Sequence, residues 1–110
     1  EAIVQFQSIL KSFKGQEIEA VTLYRIGKTY EKLGDYNSAL SQYQNIIDQH
    51  KECIYIDEAY YFSAEIYNNQ NKDIEKAKTL YEQVIFHHED SIYFTDARKK
   101  YRKLRGDKDL

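Results

Sequence analysis

Apolar side chains recur along this chain at helical spacing, and three stretches carry them in the same order. Ala39-Leu40-x2-Tyr43-x2-Ile46-Ile47-x2-His50 returns as Ala77-x2-Leu80-Tyr81-x2-Val84-Ile85-x2-His88, and a further copy opens the chain as Ala2-Ile3-x2-Phe6-x2-Ile9-Leu10-x2-Phe13. The copies begin 37 and 38 residues apart, an interval at which self-similarity marks a stacked array of supersecondary units. A unit of this size cannot bury its apolar face alone, so neighbours must cover it. Such arrays expose long surfaces rather than closed pockets, which points to binding rather than chemistry.

The pattern predicts six helices. The first covers Ala2–Phe13 and stops before Gly15; the second covers Glu19–Leu33 and is closed by Gly34, with Asp35 placed to cap the next. Tyr36–His50 is the clearest amphipathic segment, with apolar positions at i, i+4, i+7, i+8 and i+11. Asp57–Asn69 follows, then the polar turn Asn71-Lys72-Asp73, then Ile74–His88. Tyr93–Arg105 runs to Gly106, and Asp107–Leu110 reads as a frayed end. Short polar turns make successive helices antiparallel neighbours. The fold class expected is all-α, an α-solenoid of antiparallel helix pairs.

Composition agrees. There is no Pro and there are only four Gly, so little interrupts helices. Tyr occurs 11 times against no Trp and no Met; tyrosine rings fill helix seams while their hydroxyls reach a polar partner. No stretch approaches the length of apolar chain that spans a bilayer. The missing Met, and an opening inside a repeat, suggest the C-terminal part of a longer protein. Any leader or lipid anchor is then unread, and one cysteine, Cys53, leaves the redox compartment open.

Charge adds one strong signal. Arg98, Lys99, Lys100, Arg102, Lys103 and Arg105 place six cations in eight residues with no acid among them. The whole chain carries −2, so the remaining residues carry −8.

Leu23-x2-Ile26-Gly27-x2-Tyr30 followed by Ala39-x3-Tyr43, and Tyr60-x2-Ser63-Ala64-x2-Tyr67 followed by Ala77-x3-Tyr81, resemble the tetratricopeptide repeat in order and spacing. Leu23 stands where that family commonly has Trp. Small residues suit close helix crossings: Gly27, Ala64, Ala39 and Ala77, with Tyr30, Tyr67, Tyr43 and Tyr81 filling the gaps between them. The resemblance implies a right-handed superhelix, with a half-repeat helix at 1–14, repeats at 18–51 and 56–89, and a capping helix at 93–106 of one domain. The family's Pro at the end of the second helix is replaced by Lys51 and Glu89, which leaves the exit angle less constrained. The connections His50–Ala59 and His88–Ala97 are also longer than a 34-residue repeat allows. With Cys53 or Ser91 three residues after the His, this longer form resembles bacterial cell-envelope members, among them periplasmic Tol–Pal-associated proteins and outer-membrane assembly lipoproteins. A cell-envelope or periplasmic location is what that likeness implies.

By the same resemblance, the first helix of each unit lines a peptide groove. The matching positions are Val21, Tyr24, Lys28, Glu31 and Lys32, then Glu58, Tyr61, Glu65, Asn68 and Asn69. The family's carboxylate clamp of Lys and Asn has no counterpart, since Tyr24 with Lys28 and Tyr61 with Glu65 occupy its places. Tyr24 and Tyr61 are the expected anchors, outside the repeat's packing positions.

Catalytic and metal chemistry find little footing. His87-His88-Glu89-Asp90 lacks a His-x3-His pair that would put two ligands on one helix face. His50 and Cys53 come without an orienting acid or an oxyanion motif. No phosphate loop or nucleophile elbow is present. The chain therefore reads as a non-enzymatic scaffold that needs no cofactor and binds a protein or peptide. Self-association through the open Ala2–Phe13 half-repeat is a further expectation. The alternative is nucleic-acid or anionic-surface binding through the basic helix. Cations at a helix C-terminus also complement the dipole, and Ala97, Tyr101 and Leu104 suit the inner side of a cap, so the cap is favoured over nucleic acid.

Overall fold

The computed structural model describes residues 16–106. Five helices are found there: α1 (Gln16–Lys32), α2 (Tyr36–Gln49), α3 (Ile56–Asn69), α4 (Ile74–His87) and α5 (Phe94–Arg105). No strand occurs among the described residues. The fold is all-α, as the periodicity requires. The segment expected as a helix at Ala2–Phe13, its Gly15 stop and Asp107–Leu110 lie outside the described residues. So does any test of self-association through them. No helix among the described residues is long and apolar enough to cross a membrane.

Chain contacts divide the molecule into two compact units, Glu1–Ala59 and Tyr60–Leu110. In the first, α1 turns into α2 through Leu33-Gly34-Asp35. Gly34 takes φ +79°, a left-handed conformation that a side chain disfavours. Its N–H donates to the Glu31 carbonyl at 3.0 Å, while Asp35 N–H donates to the Tyr30 carbonyl at 2.9 Å. This is the Schellman closure, which satisfies carbonyls that α1 would otherwise leave open. Asp35 then caps α2 by accepting from Ser38 N–H at 3.2 Å.

The helices α1 and α2 run antiparallel, since Glu19 meets His50 at one end and Glu31 meets Tyr43 further along. Their seam is built from Ala20, Leu23, Ile26, Ala39, Tyr43, Ile46 and Ile47, all buried. Full burial of a side chain such as Ile46 contributes about 1.5–3 kcal/mol. Gly27 sits against the Tyr43 ring, as the small-residue pattern anticipates.

The second unit repeats the design with one residue more. The first helices of the repeats match at an offset of 37 (Gly27 and Ala64, Tyr30 and Tyr67), the second helices at 38 (Ala39 and Ala77, Tyr43 and Tyr81). The extra residue falls in the α3–α4 turn, where Asp73 N–H reaches back to the Tyr67 carbonyl at 2.9 Å. Lys72 holds the left-handed position there, with φ +56°. Asp73 caps α4 through Lys76 N–H at 3.2 Å, as Asp35 caps α2. Tyr81 and Val84 of α4 are fully buried with Ala64, Ala77 and Ala97, and Tyr60, Tyr67, Tyr101 and Leu104 pack against them. Ala97, Tyr101 and Leu104 thus form the inner side of α5, as expected.

The exit from each second helix is fixed without the family's proline. His50 and His88 end α2 and α4 with the same backbone conformation, their N–H groups donating to the Ile46 and Val84 carbonyls. Cys53 N–H then donates to the His50 carbonyl at 3.1 Å, and Ser91 N–H to the His88 carbonyl at 3.0 Å. Cys53 Sγ accepts from Tyr55 N–H at 3.2 Å, and Ser91 Oγ from Tyr93 N–H at 3.0 Å. A small side-chain acceptor at this position satisfies a backbone N–H of each exit turn.

Candidate interaction surface

The positions assigned to a groove on α1 lie along one side of that helix. Val21, Tyr24, Lys28 and Glu31 are half-buried and Lys32 is exposed. Tyr24 stacks face to face on Tyr55, with ring centres 4.3 Å apart and planes at 8°, and it tilts against Tyr43 at 6.3 Å. Such ring pairs add to the energy of burial. Tyr43 donates its hydroxyl to the Glu31 carboxylate. Burial first, and the Glu31 charge second, push the Tyr43 hydroxyl well above the usual tyrosine range, so it remains a donor. Lys28 Nζ approaches the same carboxylate at 3.4 Å. At the start of α3, Glu58 is half-buried, and burial raises its carboxyl above the ordinary range, with the neighbouring Asp57 charge adding to this against its own backbone hydrogen bond.

On the rest of α3 the expected groove positions are drawn inward. Tyr61 is only 8% exposed. It stacks on Tyr93 with ring centres 4.6 Å apart, donates its hydroxyl to Asp96 and accepts from Lys100 Nζ at 3.1 Å. The expectation that Tyr61 stands outside the packing is therefore corrected: α5 runs alongside α3 and covers it. Glu65 accepts from Lys100 and, at 2.8 Å, from the Tyr81 hydroxyl. Lys100 also lies 3.0 Å from Asp96. Asn69, exposed, leans on Glu65 at 3.3 Å, while Asn68 is half-buried.

The electrostatics of this cluster are mutually consistent. Burial raises the Tyr61 and Tyr81 hydroxyls far above the usual range, and the carboxylates they bond to raise them further. Burial opposes ionisation of Glu65, but bonds from Lys100, Tyr61 and Tyr81 together outweigh it and hold the carboxyl below its ordinary range. The Tyr61 bond, helped by Lys100 and Lys99, lowers Asp96 against a smaller burial effect. Burial lowers Lys100, yet Glu65 and Asp96 more than offset it, so its ammonium is stabilised. Ion, hydroxyl and carboxylate thus satisfy one another, the condition for tolerating partly buried charge.

Lys100 therefore does not belong with the other cations of α5. Of the basic patch, Arg98, Lys99, Lys103 and Arg105 are exposed and Arg102 is half-buried. Arg105 lies over the Tyr101 ring at 5.2 Å. Two residues that sequence reasoning passed over, Tyr55 and Tyr93, hold the two anchor rings. Their signal was present in the recurring Cys53-x-Tyr55 and Ser91-x-Tyr93, 38 residues apart.

Family models described as tetratricopeptide repeat match residues 22–52 and 57–85, together more than half of the 110 residues. No curated protein and no solved structure matches the chain.

Proposed function

Since the chain belongs to the tetratricopeptide repeat family, whose repeats mediate protein–protein interaction, we propose that it is a non-catalytic scaffold holding a protein or peptide on the inner faces of its first helices. The observation that carries this reading is the side of α1 where Val21, Tyr24 and Lys28 stand half-exposed while Tyr24 is clamped by Tyr55. A ring already fixed in place loses little conformational freedom when a partner covers it, which favours it as an anchor. On α3, Tyr61 and Glu65 are committed to the fold of their own unit, and Asn69 is the exposed position of that helix.

Site-specific photo-crosslinking in cells tests the proposal. A benzoyl-phenylalanine at Lys32 or Asn69, both exposed, is expected to capture a discrete protein adduct. The same group at Asn45, exposed on α2, is expected to capture none. Adducts arising equally from Asn45, or no adduct from Lys32 and Asn69, would refute the assignment.

A further inference from the structure

The cations of α5 occupy one side of that helix. At 100° per residue, Arg98, Arg102, Lys99 and Lys103 fall in a single sector, opposite Ala97, Tyr101 and Leu104, which pack on the core of the unit. None of these four cations makes a close ion pair among the described residues, although Lys99 acts on Asp96 one turn away, whereas Lys28, Lys76 and Lys78 each pair with an acid one turn away. Arg25, Lys32, Lys51 and Lys72 are also without an ion pair there, but of these only Arg25 and Lys32 share a helix, two turns apart. On α5, Arg98 with Arg102 and Lys99 with Lys103 repeat like charge at i,i+4, an arrangement that destabilises a helix. The helix dipole accounts for Arg102, Lys103 and Arg105 in the last turn. It does not account for Arg98 and Lys99, because its influence falls off within one turn.

We infer that this face of α5 is a docking surface for an acidic segment of a protein partner, an inference that rests on the scaffold reading and names the chemistry of what is held. Lys99 and Lys103 lie 38 residues from Tyr61 and Glu65, the offset that relates Ala59 to Ala97, so they occupy on α5 the positions that on α3 meet a packed neighbour. A run of Asp and Glu supplies the carboxylates that lysine and arginine lack here, and arginine forks can take them in bidentate pairs. A membrane surface fits less well. A helix lying in a bilayer interface buries an apolar face there, and the apolar face of α5 is already spent on the core. A nucleic acid also fits less well. At 100° per residue the two rings of α5, Phe94 and Tyr101, fall on its apolar side, so no stacking platform for a base stands among the cations.

The test is fluorescence anisotropy with the intact chain and three probes: labelled octaglutamate, an oligothymidylate of equal charge, and vesicles of phosphatidylserine with phosphatidylcholine. Octaglutamate is expected to bind most tightly and to weaken as salt rises from about 50 to about 200 mM. A Lys99→Glu/Lys103→Glu variant is expected to lose about tenfold or more in octaglutamate affinity, with a far-ultraviolet dichroism spectrum close to that of the parent chain, since both residues are exposed. Reversal of the isolated Lys51 and Lys72 is expected to leave binding within about twofold, since scattered surface charges act weakly. No octaglutamate binding, equal or tighter binding of oligothymidylate or vesicles, or undiminished binding by the Lys99/Lys103 variant would each overturn the inference. Should octaglutamate fail while adducts at Lys32 and Asn69 persist, the acidic preference alone is wrong. Should octaglutamate bind through Lys99 and Lys103 while no adduct forms, the groove is wrong and this surface stands by itself.

Discussion

Gly27→Ala puts the closest helix contact of the first unit to a direct test. A Cβ at this position would lie 2.6 Å from Tyr43 Cε1, 3.0 Å from Cζ and 3.1 Å from Cδ1, inside the roughly 3.5–4.0 Å at which carbon atoms rest. The ring cannot withdraw easily. Tyr43 is fully buried, its hydroxyl is bonded to Glu31, and Tyr24 flanks it. Overpacking of this kind costs about 1–3 kcal/mol, while replacing a mid-helix glycine by alanine returns about 1 kcal/mol of helix propensity. The net expectation is a loss of about 0–2 kcal/mol where an exposed helical glycine would show a gain. A double-mutant cycle with Tyr43→Leu separates the two effects. On that background the clash is gone, and Gly27→Ala should stabilise by about 1 kcal/mol. The coupling read from urea unfolding followed by far-ultraviolet dichroism is then about 1–3 kcal/mol. A coupling of zero, with alanine stabilising both backgrounds alike, would refute the close-crossing argument.

Three further outcomes are expected. Lys72→Gly should raise the melting midpoint, because Lys72 holds φ +56° where the first repeat has Gly34, and relief of that strain is worth about 0.5–1 kcal/mol after glycine's entropy cost; an unchanged midpoint would contradict it. Ser63→Ala should be neutral or stabilising by up to about 1 kcal/mol, because Ser63 Oγ is buried without a hydrogen-bond partner among the described residues; a clear loss in urea unfolding would show that a partner exists. The cluster on α3 and α5 should shape stability against pH. Glu65 and Asp96 lie below the ordinary carboxylate range when folded, so their contribution is present above about pH 4 and is lost as pH falls further. Tyr61 and Tyr81 lie above theirs, so stability falls as pH rises beyond about 10, where the unfolded chain ionises first. Lys100→Met should flatten the acid limb, and an acid limb identical to that of the parent chain would exclude the cluster as its source.

Much of the fold was legible in the chain itself. Apolar spacing located the helices to within about one turn, and Asp35 with Gly34 marked the α1–α2 junction through chemistry that is local to the turn. The 37- and 38-residue offsets carried the repeat, because spacing is a property of sequence. The small residues at 27, 39, 64 and 77 were readable for the same reason: only a close crossing of helices calls for them. What the tertiary structure alone decided is where the polar and aromatic groups of different helices find one another. Lys100 looked like one cation among six, yet the rotation of α5 against α3 turns it onto Glu65, 35 residues away, and leaves Lys99 and Lys103 outside. Tyr61 looked like a surface anchor, yet the same docking covers it with Tyr93 and Asp96. Helical periodicity assigns a residue to a side of its own helix; which neighbour that side meets depends on the angle and register at which two helices pack, and those are set by the summed fit of the whole seam.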